Sequence, residues 1–368
     1  MILKSLVLQN FRSYFKSEFT FSQKANLIVG PNTSGKTNIL EAIYFLASGK
    51  SFRVKGVESE AISYGEEIAR IIGTIGDTRE IEKETKIEIV LTRGEVAGEK
   101  TGKKRYLVNG VAKRAFDFVG NLRAVYFGPE DLELVTDSPS LRRKYLDMVL
   151  SQVDKEYARV NLSYEKGLRS RNRILEEMRE TGAIDRRRLY FWDQLLIKNG
   201  DIITRKREEF INFVNGSGFS VFSPGIDSGK AFRFSIFYDR SIISAERLAK
   251  YENEEIAAGA TLVGPHRDDF KVKTDEGQER DLSVYGSRGE QRLAILWLKL
   301  REMTFIKEKT SELPVLLLDD IFSELDVGHR KLVLDLIKAQ QTIITTADLG
   351  MVEKEWLEGV KIIELGAD

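Results

Sequence analysis

The chain has 368 residues, with 57 basic and 57 acidic side chains, no cysteine and two histidines. Disulfides and thiolate metal sites are excluded, and a histidine-built metal centre has only His266 and His329 to draw on. With 42% hydrophobic and 31% charged residues the chain is globular and long enough for two domains, and its zero net charge leaves any polyanion contact to local patches.

The opening, Met1-Ile2-Leu3-Lys4-Ser5, turns polar too early for a secretory leader, and no apolar run approaches the roughly 20 residues of a membrane span. A cytoplasmic protein without membrane attachment is expected. Residues 2–8 and 15–21 read as strands of an antiparallel layer. Ala25-Asn26-Leu27-Ile28-Val29 is apolar enough for a buried strand, and residues 38–46 have helical apolar spacing. Between them, Gly30-Pro31-Asn32-Thr33-Ser34-Gly35-Lys36-Thr37 reads as G-x-x-x-x-G-K-[ST], a phosphate-binding loop. Strand, loop and helix N-terminus aim backbone N–H groups and a helix dipole at an anion. Lys36 would reach the β- and γ-phosphates of a nucleoside triphosphate, and the Thr37 hydroxyl would hold Mg²⁺.

Residues 67–75 and 86–92 alternate like strands, and Asn109-Gly110 between apolar residues signals a hairpin. A strand over 122–127 ends in Gly128-Pro129-Glu130-Asp131. From 141 to 213 the spacing turns helical in two long runs. Leu146, Val149, Val153, Tyr157, Val160, Tyr164, Leu168, Leu175 and Met178 mark one stripe; Trp192, Leu196, Ile203, Phe210 and Val214 mark the other. Gly182 is a natural stop between them, so a two-helix, coiled-coil-like hairpin is expected. Signals over 217–262 are mixed and leave the order of elements open. Beyond 263 the α/β texture returns, with buried strands over 314–318 and 342–345 and a helix over 330–339. The expected fold is α/β: a P-loop mixed sheet flanked by helices with an antiparallel β layer, built from residues 1–134 and 263–368, and a mainly helical domain inserted over 135–262.

Val315-Leu316-Leu317-Leu318-Asp319-Asp320 supplies the second half of a nucleotide site, with Asp319 for the Mg²⁺ shell and Asp320 as general base for the attacking water. Ser287-Arg288-Gly289-Glu290-Gln291 precedes an apolar helical run and also fits a capping box. In this order the chain resembles the ATP-binding-cassette superfamily, whose signature loop reads L-S-G-G-Q or L-S-G-G-E. Ser323-Glu324-Leu325-Asp326 is similar to its D-loop. The resemblance implies that Ser287, Arg288, Gly289 and Glu290 complete the ATP site of a second molecule, in an ATP-dependent homodimer.

Finer motifs resemble the RecF family of recombinational DNA repair: Asn10-Phe11-Arg12-Ser13-Tyr14, Gly49-Lys50-Ser51-Phe52-Arg53, Phe127-Gly128-Pro129-Glu130-Asp131-Leu132, Ser138-Pro139-Ser140-Leu141-Arg142-Arg143 and Gly264-Pro265-His266-Arg267-Asp268-Asp269. That resemblance implies a slow, DNA-stimulated ATPase that binds gapped or junction DNA and works with RecR and RecO to load RecA. It also implies Arg12 among the nucleotide-binding residues. The chain departs from the superfamily in having Asp320 where transport ATPases have glutamate. Thr345 and Thr346 stand in place of the switch histidine, and no glutamine occurs in residues 128–131, where Glu130 and Asp131 are the candidates for its role. Glu130 is therefore a further candidate metal ligand.

Between residues 142 and 207 there are 17 Lys/Arg against 10 Asp/Glu. The clusters Arg142-Arg143-Lys144 and Arg186-Arg187-Arg188, and a second patch of Lys103, Lys104 and Arg105, are candidate DNA phosphate contacts. The competing reading of the same charges is a solvated helix face with exchanging ion pairs. A transporter ATPase subunit and a P-loop kinase are the alternative functions, and DNA stimulation of the ATPase separates them from the first.

Overall fold

Strands that must be covered on both faces need apolar runs without alternation, and the P-loop strand sits in a sheet of this kind. The computed structural model describes residues 1–53, 56–76, 83–216, 221–222, 231–275, 279–321, 337, 339–351, 357 and 359–366. Two compact units emerge: Met1–Asp131 with Phe222–Ala231 and Lys299–Asp368, and Leu132–Val221 with Phe232–Leu298.

In the first unit, Ala124–Phe127, Val315–Asp319, Thr342–Thr346, Ala25–Val29 and Lys361–Glu364 lie side by side in that order, and each described pairing is parallel. Thr342–Thr346 is buried end to end and separates the P-loop strand from the Asp319 strand. Thr345 stands opposite both Ile28 and Asp319. The helix Lys36–Ser48 follows the loop and buries Ile39, Leu40, Ile43, Phe45 and Leu46.

The other sheet of this unit is antiparallel, in the order Tyr14–Thr20, Ile2–Phe11, Ile68–Gly76, Glu84–Thr92, Lys104–Val108, Val111–Lys113. Alternating residues Ile87, Ile89 and Leu91 face the core, as a half-covered sheet requires. The predicted hairpin is there: Val108 pairs with Val111, and Asn109 and Gly110 both have positive φ, 50° and 78°. That is the backbone of a type I′ turn. Gln341 joins the first strand to Thr342–Thr346. Its Oε1 accepts the Leu3 N–H at 2.7 Å, and its Nε2 donates to the Leu3 and Ser22 carbonyls.

In the second unit the helical run expected from 141 onward is broken. Pro139–Val153 ends, and Lys155–Thr181 begins afresh, because the Asp154 backbone leaves helical geometry at φ −133°. Its carboxylate accepts the Tyr157 N–H at 3.0 Å, an N-cap. The buried stripe continues across the break, with Val149 before it and Tyr157, Val160 and Tyr164 after it, so hydrophobic spacing alone does not reveal it. Lys155–Thr181 stops at Gly182, and Tyr190–Gly216 returns. The region of mixed signals contains the strand Phe234–Asp239, which pairs antiparallel with Asp269–Asp275, and the short helices Ala245–Lys250 and Glu252–Ala258.

Buried charge ties these pieces together. Arg207 is fully enclosed, with Asp147 and Asp268 each at 2.8 Å and the Pro265 carbonyl at 2.7 Å. Arg171 holds Asp193 and Glu255, each at 2.7 Å. Buried guanidinium groups persist only when paired in this way. The helix Arg288–Thr310 gives its residues through Leu298 to this unit and the remainder to the first. Residues 323–326 and nearly all of the helix expected over 330–339 lie outside the described residues. Among the described residues no helix is long and apolar enough to cross a membrane.

Candidate nucleotide site

The phosphate-binding loop turns tightly before the helix Lys36–Ser48. Gly35 has φ 91°, and a Cβ at that position would lie 2.7 Å from the Tyr14 hydroxyl. The residue is therefore required by conformation and by space. Lys36 is folded back onto its own loop, donating to the Gly30 carbonyl at 2.6 Å and the Pro31 carbonyl at 2.7 Å. Burial lowers its pKa, while the charges of Asp320 and Asp319 work in the opposite direction. Its ammonium thus already senses both carboxylates named from the sequence.

Asp319 closes the buried strand Val315–Asp319 and is met by hydroxyl groups. Thr37 donates to Oδ1 at 3.1 Å and Thr345 to the same oxygen at 2.6 Å; Tyr126 approaches Oδ2 at 3.3 Å. Thr345 Oγ1 also accepts the Asp320 N–H at 3.0 Å. Asp320 has φ 49°, a left-handed backbone that aspartate tolerates better than most residues. Thr37 and Asp319 form an oxygen pair of the hardness that Mg²⁺ prefers. Among the described residues no ion pair neutralises the carboxylate, and its contacts are hydroxyl groups, so the donor set fits a divalent ion.

In the 128–131 loop the two acidic side chains part. Asp131 is buried and accepts the Gly128 N–H at 3.0 Å and the Lys299 ammonium at 2.9 Å. Burial raises its pKa and Lys299 counters that rise. It serves the fold. Glu130 is exposed and accepts from the Tyr126 hydroxyl at 2.8 Å, which connects it to Asp319. Burial, followed by Asp319 and Glu130, pushes the Tyr126 pKa far up, so the phenol keeps its proton. Tyr126 was not singled out from the sequence because it sits in an apolar strand, where an aromatic reads as core.

Arg12, expected at the nucleotide, is committed inside the chain. Its Nε and Nη2 grip the fully buried Glu41 at 3.0 and 2.7 Å, and Nη1 donates to the Glu60 carbonyl. Arg53 approaches the same carboxylate at 3.7 Å. A buried carboxylate needs such compensation, and Glu41, read only as a helix residue, gave no sequence signal of that need.

The signature segment lies in the second unit and is a true capping box. The Glu290 carboxylate accepts the Ser287 N–H at 2.6 Å, and the Glu290 N–H donates to Ser287 Oγ at 3.3 Å. Ser287, Arg288 and Gly289 are exposed at the start of the helix Arg288–Thr310. His266 is bonded at both ring nitrogens, to the Tyr164 hydroxyl and the Thr261 carbonyl, and is a fold residue.

The basic clusters divide. Arg142 is 8% exposed and forms a two-pronged pair with Asp269 at 2.6 and 3.0 Å, so it is corrected from a surface cation to an internal one. Lys104 is likewise turned inward, onto the Gly49 carbonyl and Glu58. Arg143 donates to the Asp268 carbonyl, and Lys144 is half-buried. Arg186, Arg187 and Arg188 remain at the surface, paired with Glu252, Asp185 and Glu177. Such exposed pairs exchange readily for other anions. Lys103 and Arg105 are exposed.

The sequence matches the family model described as RecF/RecN/SMC N terminal domain over residues 2–364. It is 37% identical to the DNA replication and repair protein RecF of Herpetosiphon aurantiacus, covering 95% of this chain and 94% of that one. It is 33% identical to the protein of the same name from Bacillus cereus, covering 99% and 97%. Among solved structures, a recombination mediator protein RecF-ATP of the RecFOR pathway superposes with a TM-score of 0.83 at 34% identity, over 95% of this chain and 93% of the other. The companion RecF-ATPrS structure gives 0.81 at the same identity, over 96% and 94%. With P-loop, Asp319 strand and signature segment all in family order, this chain belongs to the RecF family of ABC-type ATPases.

Proposed function

We propose that this protein is a DNA-binding repair ATPase in which ATP closes two copies of the chain on each other. One observation carries the reading: the Thr37 hydroxyl of a complete P-loop lies 3.1 Å from Asp319 at the end of a buried parallel strand. The relatives solved as RecF-ATP support ATP as the nucleotide. Mg²⁺ held by Thr37 and Asp319 would neutralise phosphate charge. Lys36 exchanges the Gly30 and Pro31 carbonyls for phosphate oxygens, and the backbone of residues 31–35 supplies N–H donors. Asp320 takes the proton of the attacking water; its short side chain suits slow turnover, with ATP acting as a switch. Ser287 accepts from the Glu290 N–H and keeps its own hydroxyl proton to donate to the γ-phosphate of the second copy, beside a helix N-terminus.

Arg186 to Arg188, with Lys103 and Arg105, supply the phosphate contacts of a cytoplasmic DNA clamp that favours gaps or junctions. RecR and RecO act with it, and RecA is loaded downstream; the RecFOR pathway named for the solved relatives supports this assignment. The test is fluorescence anisotropy of a gapped duplex, with and without ATP-Mg²⁺. Binding is expected only with nucleotide, to fall steeply with salt, and to be lost in Lys36→Ala. Equal binding with and without ATP would remove the gate from the proposal.

A further inference from the structure

Three hydroxyl groups point at Asp319, and one of them is shared. Thr37 and Thr345 address Oδ1. The Tyr126 hydroxyl stands between two carboxylates, 3.3 Å from Asp319 Oδ2 and 2.8 Å from Glu130 Oε2. A phenol has one proton to donate, and the shorter contact is to Glu130. The ring cannot swing away: it stacks on Phe52 at 3.8 Å between centroids and meets Tyr44 edge-on at 6.1 Å. Gly128 leaves the hydroxyl its room, since a Cβ there would lie 2.1 Å from the phenol oxygen. The loop that carries Glu130 is anchored on its other side by Asp131, which holds the Gly128 N–H and is itself held by Lys299.

We propose that Tyr126 is a positioning residue that holds Glu130 as the outer carboxylate of the cation site at Asp319. This rests on the ATP-Mg²⁺ reading above. When the charge of Asp319 is committed to a cation, the phenol proton stays with Glu130. That fixes a second negative group beside the metal-binding pair Thr37 and Asp319. Without the hydroxyl, Glu130 is an exposed glutamate with no tie to Asp319 through Tyr126.

The experiment measures equilibrium binding of a fluorescent ATP analogue to the full chain in Mg²⁺ and in EDTA, and takes the ratio of the two affinities. Tyr126→Phe keeps the stacked ring and removes the hydroxyl. It should lower the ratio about tenfold, the scale on which partners of metal ligands act. Glu130→Gln should lower it similarly, and the double variant no further, because the two residues act as one unit. A purely structural role would weaken binding equally in Mg²⁺ and EDTA. An unchanged ratio in Tyr126→Phe, or additive losses in the double variant, overturns the assignment. Failure of the unaltered chain to bind the analogue at all would instead overturn the ATP reading on which it rests.

Discussion

At 2.8 Å from the Tyr164 hydroxyl and 3.0 Å from the Thr261 carbonyl, the His266 ring has its tautomer settled by its neighbours. A carbonyl only accepts, so Nε2 carries the proton and Nδ1 accepts from Tyr164. Burial, with the charges of Arg267, Arg143 and Arg171 behind it, lowers the His266 pKa from 6.5 to about 4. The unfolded chain therefore binds a proton that the folded chain refuses between those two values. Stability is full above about pH 6.5 and falls as the pH drops towards 4, by about 2–3 kcal/mol. The ring signal of His266 should titrate near pH 4 by NMR, and the loss of unfolding free energy over this window should shrink in His266→Asn. A midpoint near 6.5 would show that the ring is solvated after all. At this scale the P-loop residues were legible, because their chemistry dictates their spacing. Tyr126 and Glu41 were not, since each acts through a partner distant in sequence: Asp319 in one case, Arg12 in the other.

Elements were readable where one physical requirement dominates. Uninterrupted apolar runs announced four of the five strands of the parallel sheet, whereas Lys361–Glu364, buried at no position and with only two apolar residues, gave no such signal. Asn109-Gly110 announced a turn with two positive φ angles. The break at Asp154 was hidden because the hydrophobic stripe is a property of what the helices pack against, whereas the cap is a property of one side chain. Asp154 also pairs with Lys206 at 2.7 Å. Asp154→Ala should cost about 1 kcal/mol of stability by chemical denaturation, and Asp154→Asn, which still caps, clearly less. Equal stability of the alanine variant would mean that packing alone sets the boundary. The buried guanidiniums show the same limit: Arg207 and the exposed Arg205 are alike in sequence, and only the fold decides which one faces Asp147 and Asp268.

For the molecule as a whole, the capping box places Ser287 at an exposed helix start in the second unit, whereas the P-loop and Asp319 belong to the first. A nucleotide site completed by another copy predicts that mass follows ATP. Sedimentation with ATP-Mg²⁺ should shift the 41.9 kDa chain towards twice that mass. Ser287→Arg should bind nucleotide yet remain at the smaller mass and fail to hydrolyse ATP. Sedimentation indifferent to ATP well above micromolar protein, or normal hydrolysis by the variant, would discard the trans site. The order of the parallel sheet has a further consequence, for biosynthesis. The P-loop strand Ala25–Val29 leaves the ribosome more than 300 residues ahead of its two neighbours in the sheet, Thr342–Thr346 and Lys361–Glu364. Until residues 342–364 have emerged, that strand lacks one or both of its native partners, and the loop is without its full sheet. Nascent chains that lack Thr342–Thr346 and Lys361–Glu364 should therefore not retain a nucleotide analogue, and the ATP switch proposed above would be armed only once both strands are in place.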